Sequence, residues 1–195
     1  NFKINDNEVF KFIFDQLGLN KKLTIDDLGF VIGPIINSGG RLGFSNYGVE
    51  LLTTNNLKLI QKRSIELIKL NEKRKLLEQD ILDKIDYEKI NKKNQNVIIY
   101  YDTNINEGLI GIIAARLKDY FNKPSIVITK SSNILKGSAR STSNYNIGKL
   151  IKSLIDKKII ENGGGHNMAA GFSIKKNKLK SLNEFIQKDY SFKIL

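Results

Sequence analysis

Eleven of the 15 glycines in this 195-residue chain fall in four short blocks: Gly33–Gly43, Gly108–Gly111, Gly137 and Gly163–Gly171. Glycine weakens the interiors of helices and strands. Clusters of it therefore mark tight turns or places where backbone comes close to a ligand. Only five of the 32 basic residues are arginine, and Arg41, Arg116 and Arg140 lie in or beside these blocks. In a chain that otherwise uses lysine, arginine points to the planar fork that holds phosphate or carboxylate through paired hydrogen bonds. Arg140, flanked by Ser138 and Ser141 in KGSARS, reads as a phosphate contact. Arg41, in NSGGRLG, reads equally as a phosphate contact or a structural ion pair. Arg116 shares a predicted helix with Ile112, Ile113 and Leu117, where structural pairing is the better reading.

The last block, GGGHNMAAG, holds the chain's one histidine, His166. Gly163, Gly164 and Gly165 leave backbone N–H groups unshielded, the composition of an anion-binding nest. His166 could donate to a phosphate oxygen or stack on a base; the alternative is a structural histidine. No second His, Cys or carboxylate cluster accompanies it, so no metal site is expected in this chain. Asp102, at the end of a predicted strand, is the best single carboxylate, but a two-metal nuclease needs several. No Walker A loop, Rossmann fingerprint or Ser-His-Asp arrangement is readable. The absence of cysteine excludes disulfides, zinc-thiolate sites, iron–sulfur clusters and thiol catalysis.

Charge supplies an independent clue. The chain carries 32 basic and 20 acidic residues, net +12. Residues 130–195 hold 13 basic and 4 acidic side chains, net +9, against 19 and 16, net +3, in residues 1–129. A basic C-terminal third points to a polyanionic partner; a lysine-rich solvated surface is the plainer alternative. Hydrophobic residues make up 41% and charged residues 27%, enough apolar content for a folded core. No apolar run spans a membrane and no signal peptide opens the chain, so a cytoplasmic location is expected. The chain starts at Asn1 and its one methionine is Met168, so it is expected to be part of a longer protein.

Two segments must position these blocks. Residues 1–32 predict one or two short helices, with Val9, Phe10, Ile13, Phe14 and Leu17 at helical spacing. Asn5 with Glu8 could form a capping box, and Gly18 would end the helix. Thr24 to Ile32 reads as a further turn or two, residues 33–45 as a structured loop, and Asn46 to Leu52 as a short helix. Residues 56–90 read as one long helix or two in line, the alternative being a hairpin near Asn71 where the apolar stripe weakens. The polar run 91–96 is the best boundary, dividing a connector, 1–92, from a domain, 93–195. Beyond it strands are predicted at Val97 to Tyr101, Ser125 to Thr129, Leu135 to Ser141 and Gly171 to Lys175. Helices are predicted at Gly108 to Tyr120, Ile147 to Ile160 and Leu179 to Lys188. The fold class is α/β: a helical N-terminal segment with a long connecting helix, then a mixed β-sheet domain flanked by helices.

In order along the chain, PIINSGGRLG, EGLIGIIAARL, KGSARS and GGGHNMAAG resemble the RecJ family of single-strand-specific exonucleases, from about Asp26 to about Ile186. The resemblance implies the connecting helices plus the DHH-associated domain of such an enzyme. An N-terminal DHH phosphoesterase domain would carry the catalytic manganese or magnesium, and an oligonucleotide-binding fold commonly follows. Neither is represented in these residues. It further implies that Ser138, Arg140 and Ser141 meet the 5′ end and nearby phosphates of single-stranded DNA. Gly164, Gly165 and His166 would reach toward the scissile phosphate, and Arg41 would face the groove at the domain junction.

One departure stands out. Where the family commonly has Trp-His, this chain has Ile105 and Asn106, and Asn cannot titrate near neutral pH as His can. The expected function is the substrate clamp of a 5′-to-3′ exonuclease of DNA repair and recombination, with this chain alone binding and not cutting. The alternatives are a DHH-type phosphodiesterase of short oligonucleotides or cyclic dinucleotides, and a non-catalytic nucleic-acid-binding module.

Overall fold

The computed structural model describes residues 7–188. The chain forms two compact units, divided between Gln79 and Asp80. The first is helical. Helix α1, Glu8–Gln16, starts at Asn7, whose side chain accepts from the Phe10 N–H at 3.1 Å. Asn7, not Asn5, is thus the cap; Asn5 lies outside the described residues, and Glu8 pairs instead with Lys11 at 3.1 Å. Gly18, in the left-handed region at φ +66°, turns the chain after α1 as expected.

Helix α2, Ile25–Asp27, opens with a reciprocal capping box between Thr24 and Asp27. Lys21, 2.7 Å from the Asp27 carboxylate, and the Thr24 donors hold the pKa of Asp27 down to about 2. A π turn, Leu28–Ile32, follows, and then helix α3, Gly33–Arg41.

Helix α3 overturns the expected loop at 33–45. Pro34, which has no N–H to donate, is the second residue of α3, just past the widened π turn and Gly33. The small residues are there for close packing. Ser38 is buried and its hydroxyl lies 3.0 Å from the Leu67 carbonyl. A Cβ on Gly39 would come within 2.7 Å of the Phe44 carbonyl oxygen.

Helix α4, Ser45–Thr53, leads to α5, Leu57–Asp83, a helix of 27 residues. The chain does not turn back at Asn71. That residue is buried and accepts from Arg74 Nε at 3.1 Å, which explains the weakened apolar stripe. The break falls later, at 84–86, where the Asp86 side chain accepts from the Lys89 N–H at 2.9 Å and opens α6, Tyr87–Lys92.

The second unit is built on a five-stranded sheet. Its strands are β1 (Ile98–Tyr101), β2 (Ser125–Ser131), β3 (Ile134–Arg140), β4 (Asn162–Gly165) and β5 (Ala169–Ile174), in the order β1-β2-β3-β5-β4. Strands β1 and β2 are parallel, joined across α7, Ile110–Phe121; the other pairs are antiparallel. Helices α8, Ile147–Asp156, and α9, Leu179–Lys188, bury Leu150, Ile151, Leu154, Leu182 and Ile186 against one face of the sheet. That face carries Leu135, Ala139, Phe172 and Ile174. Helix α7 packs on β2 and β3 from the opposite side.

Candidate nucleic-acid interface

Strand alternation sorts the site residues. On β3, Leu135, Gly137 and Ala139 face the α8/α9 core, so Lys136, Ser138 and Arg140 face the other way. Register carries this second face across the sheet. Ser138 pairs with Gly171 on β5, and Gly171 with Gly164 on β4. One row on, Lys136 pairs with Ser173 and Ser173 with Asn162. The result is a strip of sheet about 10 Å wide, lined by glycine and small polar residues. Gly164 and Gly171 are exposed. A Cβ on Gly164 would meet nothing within 4 Å, and one on Gly171 only the Gly137 carbonyl oxygen at 3.8 Å. A ligand can therefore approach the backbone directly.

The strip is bounded on the β3 side by Arg140. Its Nη1 donates to the Ala139 carbonyl at 2.8 Å and to Ser138 Oγ at 3.2 Å. The guanidinium lies against the first turn of α7, where a Cβ on Gly111 would come within 2.9 Å of Nη2. A side chain at Gly111 would push the guanidinium aside. A helix N-terminus carries partial positive charge. Set beside a guanidinium, it makes a position that favours an anion. Lys136 borders the same face, 3.2 Å from Glu107. The Ser131 hydroxyl, and then Lys136, hold the Glu107 pKa below its ordinary value.

The far side is the edge strand. Gly163–Gly165 form β4 and are extended, not the nest expected for them: among the described residues the positive-φ glycines are Gly18 and Gly43. Every residue of β4 is exposed. His166 continues the ladder through its N–H to the Ala169 carbonyl at 2.8 Å. Antiparallel ladders alternate bonded and non-bonded pairs, which turns the peptide groups of Gly163 and Gly165 outward from the open edge. The unshielded N–H groups expected of this block are thus supplied by a free strand edge.

His166 is exposed, and the Met168 N–H lies 3.3 Å from its Nδ1. Asn167 Oδ1 lies 3.4 Å from the same Nδ1, so that nitrogen meets one donor and one acceptor, and the tautomer decides which it bonds. The hairpin is seated on α8. A Cβ on Gly148 would come 2.9 Å from the His166 carbonyl oxygen, and Ile147 N–H donates to Asn167 O at 3.2 Å.

Among the residues singled out in the sequence, the structure thus brings Ser138, Arg140, Gly164 and His166 to one end of one sheet. Gly165 shares their strand, but a Cβ on it would run into the Ala169 carbonyl oxygen, so glycine is required there for a tight hairpin. Ser141 departs from the expectation. It is buried, its hydroxyl donates to the Tyr145 carbonyl at 2.7 Å, and its N–H to the Met168 carbonyl at 2.9 Å. It ties the end of β3 to the hairpin rather than presenting an oxygen to a ligand. Gly111, Gly171, Lys136 and Ser173 belong to the strip and were not among the candidate ligands.

Other candidates have local roles. Asp102 Oδ1 accepts from the Asn104 N–H at 2.8 Å, and Asn106 Oδ1 from the Gly108 N–H at 2.8 Å. Both shape the approach to α7, and Ile105 is buried. Arg116 is exposed on α7. Arg41 belongs to the first unit, half-buried near Arg74, which donates to the buried Glu78 at 2.7 Å. Burial first, and then the Arg74 charge, lower the Arg41 pKa. Among the described residues no group of three or more His, Asp or Glu side chains could hold a metal ion. No described helix is long and apolar enough to cross a membrane.

Residues 94–191 match the DHHA1 domain family. The chain is 34% identical over 165 residues to the single-stranded-DNA-specific exonuclease RecJ of Haemophilus influenzae, covering 80% of this chain and 28% of that protein. It is 32% identical over 168 residues to the same exonuclease of Escherichia coli, covering 82% and 29%. It therefore spans less than a third of the length of these relatives. Among solved structures, RecJ of Thermus thermophilus in complex with Mn2+ superposes on 92% of this chain and 26% of its own. The TM-score is 0.79 at 24% identity. The expected α/β architecture, with a mixed sheet flanked by helices, is the fold they share.

Proposed function

The chain belongs to the DHHA1 domain family, and from that premise we propose that it is the substrate-binding part of a RecJ-type exonuclease acting on single-stranded DNA in repair and recombination. The observation that carries this reading is the open glycine strip Ser138–Gly171–Gly164, with Arg140 beside the N-terminus of α7 at one border and the bare β4 edge at the other.

In this proposal residues 1–92 are a connector and 93–195 the substrate-binding domain. Arg140 and Ser138 hold a backbone phosphate by charge-assisted hydrogen bonds. Gly164 and Gly165 let the strand lie against the β4 backbone, and the exposed His166 ring donates to a phosphate oxygen. Ser141 fixes the end of β3 from beneath. The strip is made of backbone and small side chains, which suits contact with a strand's phosphates and sugars rather than its bases. Among the described residues no cluster of His, Asp or Glu side chains could hold the divalent metal of the family. Manganese or magnesium would be held by a DHH domain elsewhere in the longer protein, and this chain alone would bind without cutting. A soluble, cytoplasmic setting follows from that role.

Gly164→Val tests the reading. A Cβ there meets no protein atom, so the unfolding midpoint should stay put while affinity for a single-stranded oligonucleotide drops at least about tenfold, measured by fluorescence anisotropy. Unchanged affinity would overturn the placement. A dinucleotide competing as well as a long strand would instead favour a phosphodiesterase of short substrates.

A further inference from the structure

The chain has 22 asparagines, and one of them, Asn162, is followed by glycine. In such a step the asparagine amide can be attacked by the next residue's own peptide nitrogen, because glycine has no Cβ to block the approach. Three things hold this reaction back in a folded protein: a hydrogen bond on the peptide N–H, a hydrogen bond on the amide, and a fixed backbone. The first two are missing at Asn162. Strand β4 is last in the sheet order, so one of its edges is open. The His166 N–H bonds to the Ala169 carbonyl, and alternation from that pair makes Gly164–Gly171 and Asn162–Ser173 the bonded pairs. Gly163 opposes Phe172 in a non-bonded pair, and its N–H is turned to the open edge. The Asn162 side chain is exposed, and its amide has no hydrogen-bond partner among the described residues. The third restraint is weak. The pair with Ser173 holds Asn162 extended, but β4 is four residues long and three of them are glycine. Glycine adds no side-chain packing to a strand, and a short edge strand opens locally at small cost.

From this we propose that Asn162 is a self-modification site: it deamidates through the Gly163 nitrogen, and the product weakens binding on the glycine strip. The effect on binding rests on the single-strand reading above; the modification does not. The Gly163 nitrogen bonds to Asn162 Cγ as the Cγ–Nδ2 bond breaks, and the proton of that nitrogen leaves with Nδ2 as ammonia. Water then opens the cyclic imide. Breaking its bond to Cγ gives aspartate; breaking its bond to the backbone carbonyl carbon gives isoaspartate, with one more methylene in the main chain. Nothing is oxidised or reduced, and water is the one co-reactant. Either product places a negative charge on β4. Register sets residue 162 in the row with Ser173 and Lys136, next to the row that holds Ser138, Gly171 and Gly164. Those rows are about 7 Å apart, so a phosphate on the strip meets a like charge close by. Lys136 does not cancel that charge, because it is already paired with Glu107 at 3.2 Å. Isoaspartate also displaces Gly163–Gly165 against β5 by the added methylene.

The test incubates the 195-residue chain in warm, mildly alkaline buffer and follows Asn162 by peptide mass spectrometry. A free peptide of residues 158–168 is the unfolded reference. Asn162 should convert to aspartate and isoaspartate in the folded chain, and single-strand affinity should fall in step with conversion. Asn162→Gln, whose extra methylene disfavours the ring closure, should lose no affinity over the same incubation. Asn162→Asp should bind a single-stranded oligonucleotide about fivefold more weakly than wild type, at an unchanged unfolding midpoint. Oligonucleotide at about ten times its Kd should slow the conversion about tenfold, because a bound strand holds β4 closed. An Asn162 that stays intact after the free peptide has converted would overturn the proposal. Asn162→Asp that binds as wild type while Gly164→Val does not would overturn the effect on binding. Failure of the single-strand reading has a different signature: neither substitution alters binding and the oligonucleotide gives no protection, while conversion at Asn162 is still read by mass.

Discussion

Arg140→Ala should weaken single-strand binding by about 10- to 100-fold, the loss expected when a charge-assisted hydrogen bond worth about 1.5–3 kcal/mol is removed. The guanidinium is half-buried and already oriented by the Ala139 carbonyl and Ser138 Oγ. Little side-chain freedom therefore remains to be lost on binding. It also lies at the N-terminal turn of α7, where the helix adds its own partial positive charge. Arg140→Lys should restore only part of the affinity. An ammonium keeps the charge but cannot bridge the Ala139 carbonyl, Ser138 and a phosphate in one plane. Anisotropy titrations of the three proteins, with unfolding midpoints as a control, check this. Arg140→Ala binding within twofold of wild type would remove the guanidinium from the proposed clamp.

Gly137→Val should cost about 3 kcal/mol of stability, read by urea denaturation. Gly137 faces the core directly opposite Phe172 on β5. A Cβ there would overlap three atoms of the Phe172 ring, the farthest of them only 2.7 Å away. The ring is buried among the α8/α9 contacts and has nowhere to go. The sheet would have to separate β3 from β5, and with it Ser138 from Gly171, so single-strand binding should fall together with stability. A double-mutant cycle identifies the cause. Phe172→Ala alone should cost about 3–5 kcal/mol by leaving a cavity, and the combination with Gly137→Val should cost distinctly less than the sum. Strict additivity would mean that the two residues do not compete for the same space.

Much of the sheet domain was legible in the sequence. Apolar runs of strand length fall at β1 and β2, and the helical stripes of α7, α8 and α9 lie where periodicity places them. Two departures share a physical cause: dense glycine carries a loop signal in the sequence alone. In α3 the glycines and Ser38 permit close approach to Phe44 and Leu67, a tertiary reason that local propensity does not see. In β4, Gly163–Gly165 have almost no strand preference of their own and become a strand by pairing with β5. Two of them are compelled by neighbours. A Cβ on Gly163 would lie 2.9 Å from Ile151, and one on Gly165 2.5 Å from Ala170. Gly171 became visible as a site residue only once register set it between Ser138 and Gly164. Ser141 could have been placed correctly. Period-two alternation puts it with Ala139 and Leu135 on the core side, opposite Ser138 and Arg140.

In the proposed site a single strand lies along β3, β5 and β4. The most direct measurement is a titration of the 15N-labelled chain with a single-stranded oligonucleotide, followed by amide chemical shifts. The expected result is that perturbations concentrate at Ser138, Arg140, Gly163–Gly165, His166 and Gly171, with the outer faces of α8 and α9 unmoved. Binding that leaves the amides of Gly163–Gly165 and Gly171 unshifted would contradict the account.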